Sequence, residues 1–193
     1  MTDRTHVVAI CGSSADDSTT RTSLERVLDS ARERGVETTL VDVREWDLPT
    51  FDPDARDAGD APELRETVAS ADAIVLGTPM YHGSYSSTLK TALDYCRTEE
   101  FEGKTVGLLA VAGGDFPTPA VEHLRAVCRT LRAWTLPRQV VVPSAYEQFE
   151  NGEFRDADIA DRVAELGRDL VEYAGVDEYP TADATSPEAP ADD

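Results

Sequence analysis

Residues 73–96 read AIVLGTPMYHGSYSSTLKTALDYC, and a change of period inside this stretch decides the fold. Ala73 to Gly77 is a short continuous apolar run, the pattern of a strand buried on both faces, whereas Leu89, Ala92, Leu93 and Cys96 recur at helical spacing. The connection between them, Gly77 to Ser87, is punctuated by Pro79 and Gly83. Working outward, further apolar runs lie at Val7 to Cys11, Thr39 to Val43, Thr105 to Ala112 and Gln139 to Val142. Helical spacing separates them, at Leu24, Val27, Leu28 and Ala31, at Leu64, Val68 and Ala69, and at Leu124, Val127, Cys128 and Leu131. A last helix is predicted from about Asp156 to Ala174, carrying Ile159, Val163, Leu166 and Leu170. Strands alternating with helices predict an α/β fold, a three-layer sandwich around a five-stranded parallel sheet.

The chain has 193 residues, enough for one ordinary domain, assigned here to residues 1–177. Residues 178–193 (EYPTADATSPEAPADD) have no apolar period and read as an acidic, disordered tail. With 38 acidic against 18 basic side chains the formal charge is -20, which disfavours nucleic acid, a partner that requires clustered positive charge. Only Lys90 and Lys104 among the basic residues are lysines. An acid surplus almost without lysine suits a salt-rich cytoplasm, where ions screen self-repulsion; an acidic protein of ordinary habitat is the alternative. No apolar run approaches the ~20 residues of a membrane span, and Met1 to His6 leads into no signal-peptide cleavage pattern, so the expected location is cytoplasmic.

Cys11, Cys96 and Cys128, like His6, His82 and His123, are scattered, and neither set offers a disulfide framework or metal-ligand spacing. The chemistry is expected in loops beyond the carboxyl ends of the strands, where open parallel sheets collect ligands. Gly12 to Thr22 (GSSADDSTTRT) places hydroxyls beside the free N–H groups of a helix start, a phosphate cradle with no Walker lysine and Arg21 as its local cation. A Ser/Thr-rich helix cap accounts for it equally well. Gly77 to Ser87 presents Tyr81, His82 and Tyr85 on a fixed backbone path, suited to a planar heteroaromatic ligand or to plain core packing. Ala112 to Pro119 carries Gly113 and Gly114, which permit close backbone approach or merely a tight connection. The long Glu45 to Pro62 loop carries Trp46, Leu48 and Phe51, apolar groups that a subunit interface or a plain surface loop would use.

Three elements together resemble the NADPH-dependent FMN reductases of flavodoxin-like fold: GSS…STTR, GTPMYHGSYSSTLKTALDY, and the Gly103-Lys104 strand ending in Gly113-Gly114 before VEHLRAVCRTLRAW. The resemblance spans roughly Val7 to Pro143 and implies sheet order 2-1-3-4-5. It further implies that Ser13, Ser18 and Thr20 bind the FMN phosphate and that Pro79, Met80, Tyr81, His82 and Gly83 run along the isoalloxazine ring. Gly113 and Gly114 would lie beside the ring's other part, with His82 either a proton donor to the acceptor or structural. Where an arginine often follows the GS element this chain has Ala15 and Asp16, and Thr91 stands in place of a common asparagine. The implied activity is transfer of hydride from NADPH or NADH through FMN to flavin, a quinone, an azo compound or another small acceptor, in a homodimer or tetramer. FMN is expected over FAD, because a cradle closed by hydroxyls leaves no evident room for AMP. The alternative is an electron carrier like flavodoxin, although the TxTGxT phosphate loop of true flavodoxins is missing.

Overall fold

The computed structural model describes residues 4–175, so the expected tail at 178–193 lies outside the described residues. Alternating side-chain direction along each strand sorts the core into two layers. On β1 (His6–Cys11), Val8 and Ile10 face one way while Val7, Ala9 and Cys11 face the other. The first face is covered by α2 (Ala61–Ala69), α3 (Ser87–Tyr95) and α5 (Thr118–Thr130), through Leu64, Leu89 and Leu124 among others. The second is covered by α1 (Thr19–Arg32) and α7 (Ala157–Glu172), through Leu24, Leu28, Val163 and Leu166. Between these helices run β2 (Glu37–Asp42), β3 (Ala73–Tyr81), β5 (Thr105–Val111) and β6 (Trp134–Val142).

The parallel strands lie in the order β2-β1-β3-β5-β6, the 2-1-3-4-5 arrangement expected, with a short β4 (Ser84–Tyr85) paired antiparallel to β3. Two strands extend beyond their apolar runs. β3 continues past Gly77 because Thr78 and Pro79 still align with Ala110 and Val111 of β5. β6 starts at Trp134 rather than at Gln139, despite Pro137, because it is an edge strand with a register shift where Val106 and Leu108 meet it. Arg125 reaches over from α5 and donates to the carbonyls of Leu136 and Pro137 at 3.0 and 3.2 Å and to Gln139 Oε1 at 2.7 Å.

The 45–62 loop turns its apolar groups inward. Trp46, Leu48 and Phe51 pack against the core, and Phe51 meets Tyr95 edge to face at 5.3 Å. All three remain partly exposed. Shorter elements complete the chain: a 3-10 turn at Val43–Glu45, α4 (Thr98–Phe101), α6 (Ala145–Gln148) and a hairpin of β7 (Phe149–Glu150) and β8 (Glu153–Phe154). Both retained lysines bond within the molecule. Lys90 pairs with Asp94 one helical turn away, and Lys104 Nζ donates to the carbonyls of Val68 and Ala69 at the end of α2. Burial lowers the Lys104 pKa from its usual value.

Candidate functional site

The carboxyl ends of β1 and β3 are stitched together by backbone and hydroxyl groups. Gly12 N–H donates to the Gly77 carbonyl at 2.9 Å, and Ser86 Oγ donates to the Gly12 carbonyl at 2.6 Å. The same Ser86 Oγ caps α3 by accepting from Leu89 N, while Ser86 N–H donates to Thr78 Oγ1. A side chain at position 12 has no space: its Cβ would stand 2.4 Å from Leu89 Cβ. Ser14 Oγ and Thr88 Oγ1, 2.9 Å apart, add a bond further out.

Beyond this seam the chain enters α1 through Ser18, whose Oγ accepts from Arg21 N at 3.1 Å. A serine hydroxyl has one hydrogen and two lone pairs, and the Ser18 hydrogen is directed to the Cys11 sulfur. The N–H groups of Thr19 and Thr20 begin the helix and have no intrahelical acceptor. Ser13, Ser18 and Thr20 are nearly buried, at 4, 5 and 2% exposure, yet all three line one cleft. Beneath them lies Cys11, whose thiol is pushed up to about 11, chiefly by burial and against hydrogen bonds from the Ser13 backbone and the Ser18 side chain. The Arg21 guanidinium is engaged on two sides: Nη1 pairs with Asp42 at 3.1 Å and Nη2 donates to the Asp16 carbonyl at 2.9 Å. Asp42 holds that guanidinium above its usual pKa, and the neighbouring Arg44 pairs with Asp16 at 2.6 Å.

The connection after Gly77 is a strand turning back on itself. Met80 pairs with Tyr85 and Tyr81 with Ser84, and the two-residue turn between them, His82-Gly83, has φ of 49° and 78°. Positive φ at both central positions is the requirement of the type I′ turn that suits a twisted hairpin. Pro79, Met80 and Tyr81 thereby form one side of the cleft, whereas His82 and Gly83 occupy the tip outside its lining, with His82 exposed. Opposite stand Val111, Ala112 and Gly113 at the end of β5; Gly114 is exposed and lies outside the lining.

The cleft holds about 420 Å³ and is closed by a segment that the sequence reading did not include, α6 and the start of β7, which contribute Ala145, Tyr146 and Phe149. Tyr146 is 90% exposed but stands over Gly113, whose Cβ would come within 3.0 Å of the Tyr146 ring. The segment is anchored by Ala145 N–H to the Ala112 carbonyl, Ser144 N–H to the Gly114 carbonyl, and Ser144 Oγ to Asp115 at 2.6 Å. Nor is the cradle closed at its far side. A second basin of about 520 Å³ adjoins it there, between Arg21 and Thr22 of α1 and the β7–β8 hairpin, and shares Asp17, Ser18, Thr19 and Phe149 with the first. Among the described residues no cluster of metal-ligating side chains occurs, and no helix is long and apolar enough to cross a membrane.

A parallel sheet in this order, with a hydroxyl cradle and a flat-sided cleft at its carboxyl edge, defines the flavodoxin-like class. Solved structures with the same fold include an NADH:FMN oxidoreductase in its apo form, at TM-score 0.72 and 22% identity over 89% of this chain and 91% of that one. Another is an NAD(P)H:(acceptor) oxidoreductase from Paracoccus denitrificans, at TM-score 0.72 and 22% identity over 88% and 96% of the two chains. Within that class the chain belongs to the NADPH-dependent FMN reductase family, whose model matches residues 5–147. An FMN-dependent NADPH-azoreductase of Staphylococcus aureus is 39% identical over 93 residues, 48% of this chain. That match spans about half the length of the curated relative.

Proposed function

We propose that the protein is an NAD(P)H-dependent oxidoreductase that holds FMN in the 420 Å³ cleft and passes electrons to a small acceptor such as flavin, a quinone or an azo compound. The observation that carries this is the convergence of Ser13, Ser18 and Thr20 with Pro79, Met80, Tyr81 and Gly113 in a single cleft. The residues present fit the cofactor. The first N–H groups of α1, the helix dipole and the Ser13 and Thr20 hydroxyls on the lining suit a phosphate dianion without a free cation. Pro79, Met80, Val111 and Ala112 supply apolar sides for a ring, and the Tyr146 ring packs against Gly113 at the rim. FMN supplies the hydride-accepting and electron-passing chemistry when bound, so the side chains are needed to bind, orient and exclude water. In this reading His82 serves the turn it occupies, and Gly83 and Gly114 shape the backbone at the rim.

The test is reconstitution with FMN in high salt, chromatography of the extracted ligand, and anaerobic mixing with NADH and NADPH. FMN recovered at one per chain and bleached by a reduced nicotinamide alone is the expected result. Recovery of FAD or of no flavin overturns the proposal, and bleaching only through a partner protein replaces it with an electron carrier.

The charge of -20 with two lysines supports a cytoplasmic enzyme adapted to molar salt. At 1 M salt the Debye length is about 3 Å, so long-range repulsion is removed. Thermal midpoint and turnover should rise with KCl and not with a neutral osmolyte at matched water activity. Both being maximal below about 0.1 M salt would remove the adaptation. A homodimer or tetramer is supported by exposed apolar side chains, Tyr81 and Tyr146 on the cleft lining at 57 and 90% exposure and Phe116 in the connection after β5 at 76%. Ultracentrifugation in molar salt should give a dimer or tetramer; a fully active monomer would exclude it.

A further inference from the structure

The second basin has a volume in the usual range for small-molecule sites, about 300–1,000 Å³, and it begins where the phosphate cradle ends. We propose that it receives the adenosine half of the pyridine dinucleotide and that Asp17 makes the enzyme select NADH over NADPH. This rests on the flavin reading above, with the nicotinamide at the ring end and the other half of the dinucleotide laid along the same edge. The basin is the continuation of that edge, through the shared Asp17, Ser18, Thr19 and Phe149.

Its chemistry suits a nucleoside. Phe149, half-buried and braced by Phe154 at a ring distance of 4.5 Å, offers an aromatic surface. Thr19 Oγ and the Asn151 amide offer neutral hydrogen bonds. The charges decide between the two dinucleotides. NADH presents a ribose diol whose hydroxyls donate to a carboxylate, whereas NADPH presents there a phosphate, which an arginine ordinarily accommodates. The lining offers Asp17, exposed and without an ion-pair partner among the described residues. Arg21 is the only cation among the lining residues, and Asp42 and the Asp16 carbonyl already engage its guanidinium. Two other nearby arginines are also engaged, Arg44 by Asp16 and Arg155 by Glu150.

Two measurements on FMN-loaded protein at fixed salt test this. The first is kcat/KM for both dinucleotides in the native protein, Asp17→Asn and Asp17→Arg. The second is calorimetric binding of ADP-ribose and of its 2′-phosphate, which needs no turnover. Expected is a preference for NADH of about two- to fivefold, as an exposed carboxylate beside a dianion can impose. It should shrink in Asp17→Asn and reverse in Asp17→Arg, through KM and with each rate taken per bound flavin. ADP-ribose should bind more tightly than its 2′-phosphate in the native protein and less tightly in Asp17→Arg. A native preference for NADPH, or the same ratio in all three proteins, overturns the inference. So does bleaching of the flavin with no binding of ADP-ribose, while the oxidoreductase reading stands. Failure of both dinucleotides to bleach the bound flavin overturns that reading itself, and the inference with it.

Discussion

On the β1–β3 side of the cleft, Gly12 has Leu89 and Ser86 pressed against it; on the β5 side, Gly114 has nothing within 4 Å. The first wall is closed by buried bonds, Ser86 Oγ to the Gly12 carbonyl and Ser86 N–H to Thr78, and its helix α3 is capped by the same serine. In the second wall α5 starts from Pro117 with no side-chain cap, and Phe116 and Tyr146 stand open to solvent. One wall is fixed in position before any ligand arrives, as a cofactor seat requires. The other is anchored through Ser144 and Ala145 but carries its rings in solvent, as a surface that must admit and release substrates requires.

Matched substitutions can break this contrast, and the largest effect is expected at the paired glycines. Gly12→Ala drives a Cβ into Leu89, whose own Cα lies 3.2 Å from it, so no rotamer relieves the clash. The expected cost is about 3 kcal/mol, seen as a fall in thermal midpoint of roughly 6–12 °C for a chain of this size. Gly114→Ala should stay within about 0.5 kcal/mol of the native protein. Equal losses at the two positions would show that the walls do not differ.

Next in size is the cap. Ser86→Ala removes the acceptor for Leu89 N–H and the donor to Gly12, at about 1–2 kcal/mol by denaturant unfolding. Thr118→Ala, at the uncapped start of α5, should be neutral within about 0.5 kcal/mol. A third comparison uses pH. The Cys11 thiol is raised from 9.0 to about 11, so the folded state keeps its proton in a range where the unfolded chain loses it. Its contribution is therefore complete below pH 9 and lost as pH rises through about 11. Thermal midpoints followed across that range should fall less steeply in Cys11→Ala; an unchanged slope would show that Cys11 does not contribute to the alkaline loss. The smallest effect on stability is expected at Tyr146. At 90% exposure, Tyr146→Ala should leave unfolding within about 0.5 kcal/mol while raising KM for an aromatic acceptor. A large loss of stability there would make the second wall as closed as the first.

The fold was legible because the strands of a doubly covered sheet are short apolar runs, and Val7 to Cys11 or Ala73 to Gly77 admit few other readings. The first half of β6 was not, since Pro137 argues against a strand unless that strand is known to lie at the edge with a neighbour satisfying its carbonyls. The two hairpins differ in the same way. Asn151-Gly152 is a strong turn signal, but the flanking pairs Phe149–Glu150 and Glu153–Phe154 are too short to show alternation. His82-Gly83 carries the same positive φ with a residue that seldom adopts it, so the segment reads as a loop. In the candidate site, the Ser18 and Thr20 hydroxyls could be read as a helix start facing a ligand. Arg21 could not be placed, because its partner Asp42 comes from another strand. Tyr146 and Phe149 follow the last strand's carboxyl end, where the rule that pointed to the other three loops applies equally.

The edge strand β6 bears on how such molecules avoid one another. An unpaired strand edge is a template for a second chain, and many proteins guard it with charge repulsion. In concentrated salt that guard reaches only a few ångströms. Pro137, which has no N–H to donate, and Arg125, which already covers the carbonyls of Leu136 and Pro137, interrupt the template without relying on long-range charge. Protection from aggregation built this way holds at any ionic strength, so the solubility of the folded protein and the charge on its surface can be set independently at this edge.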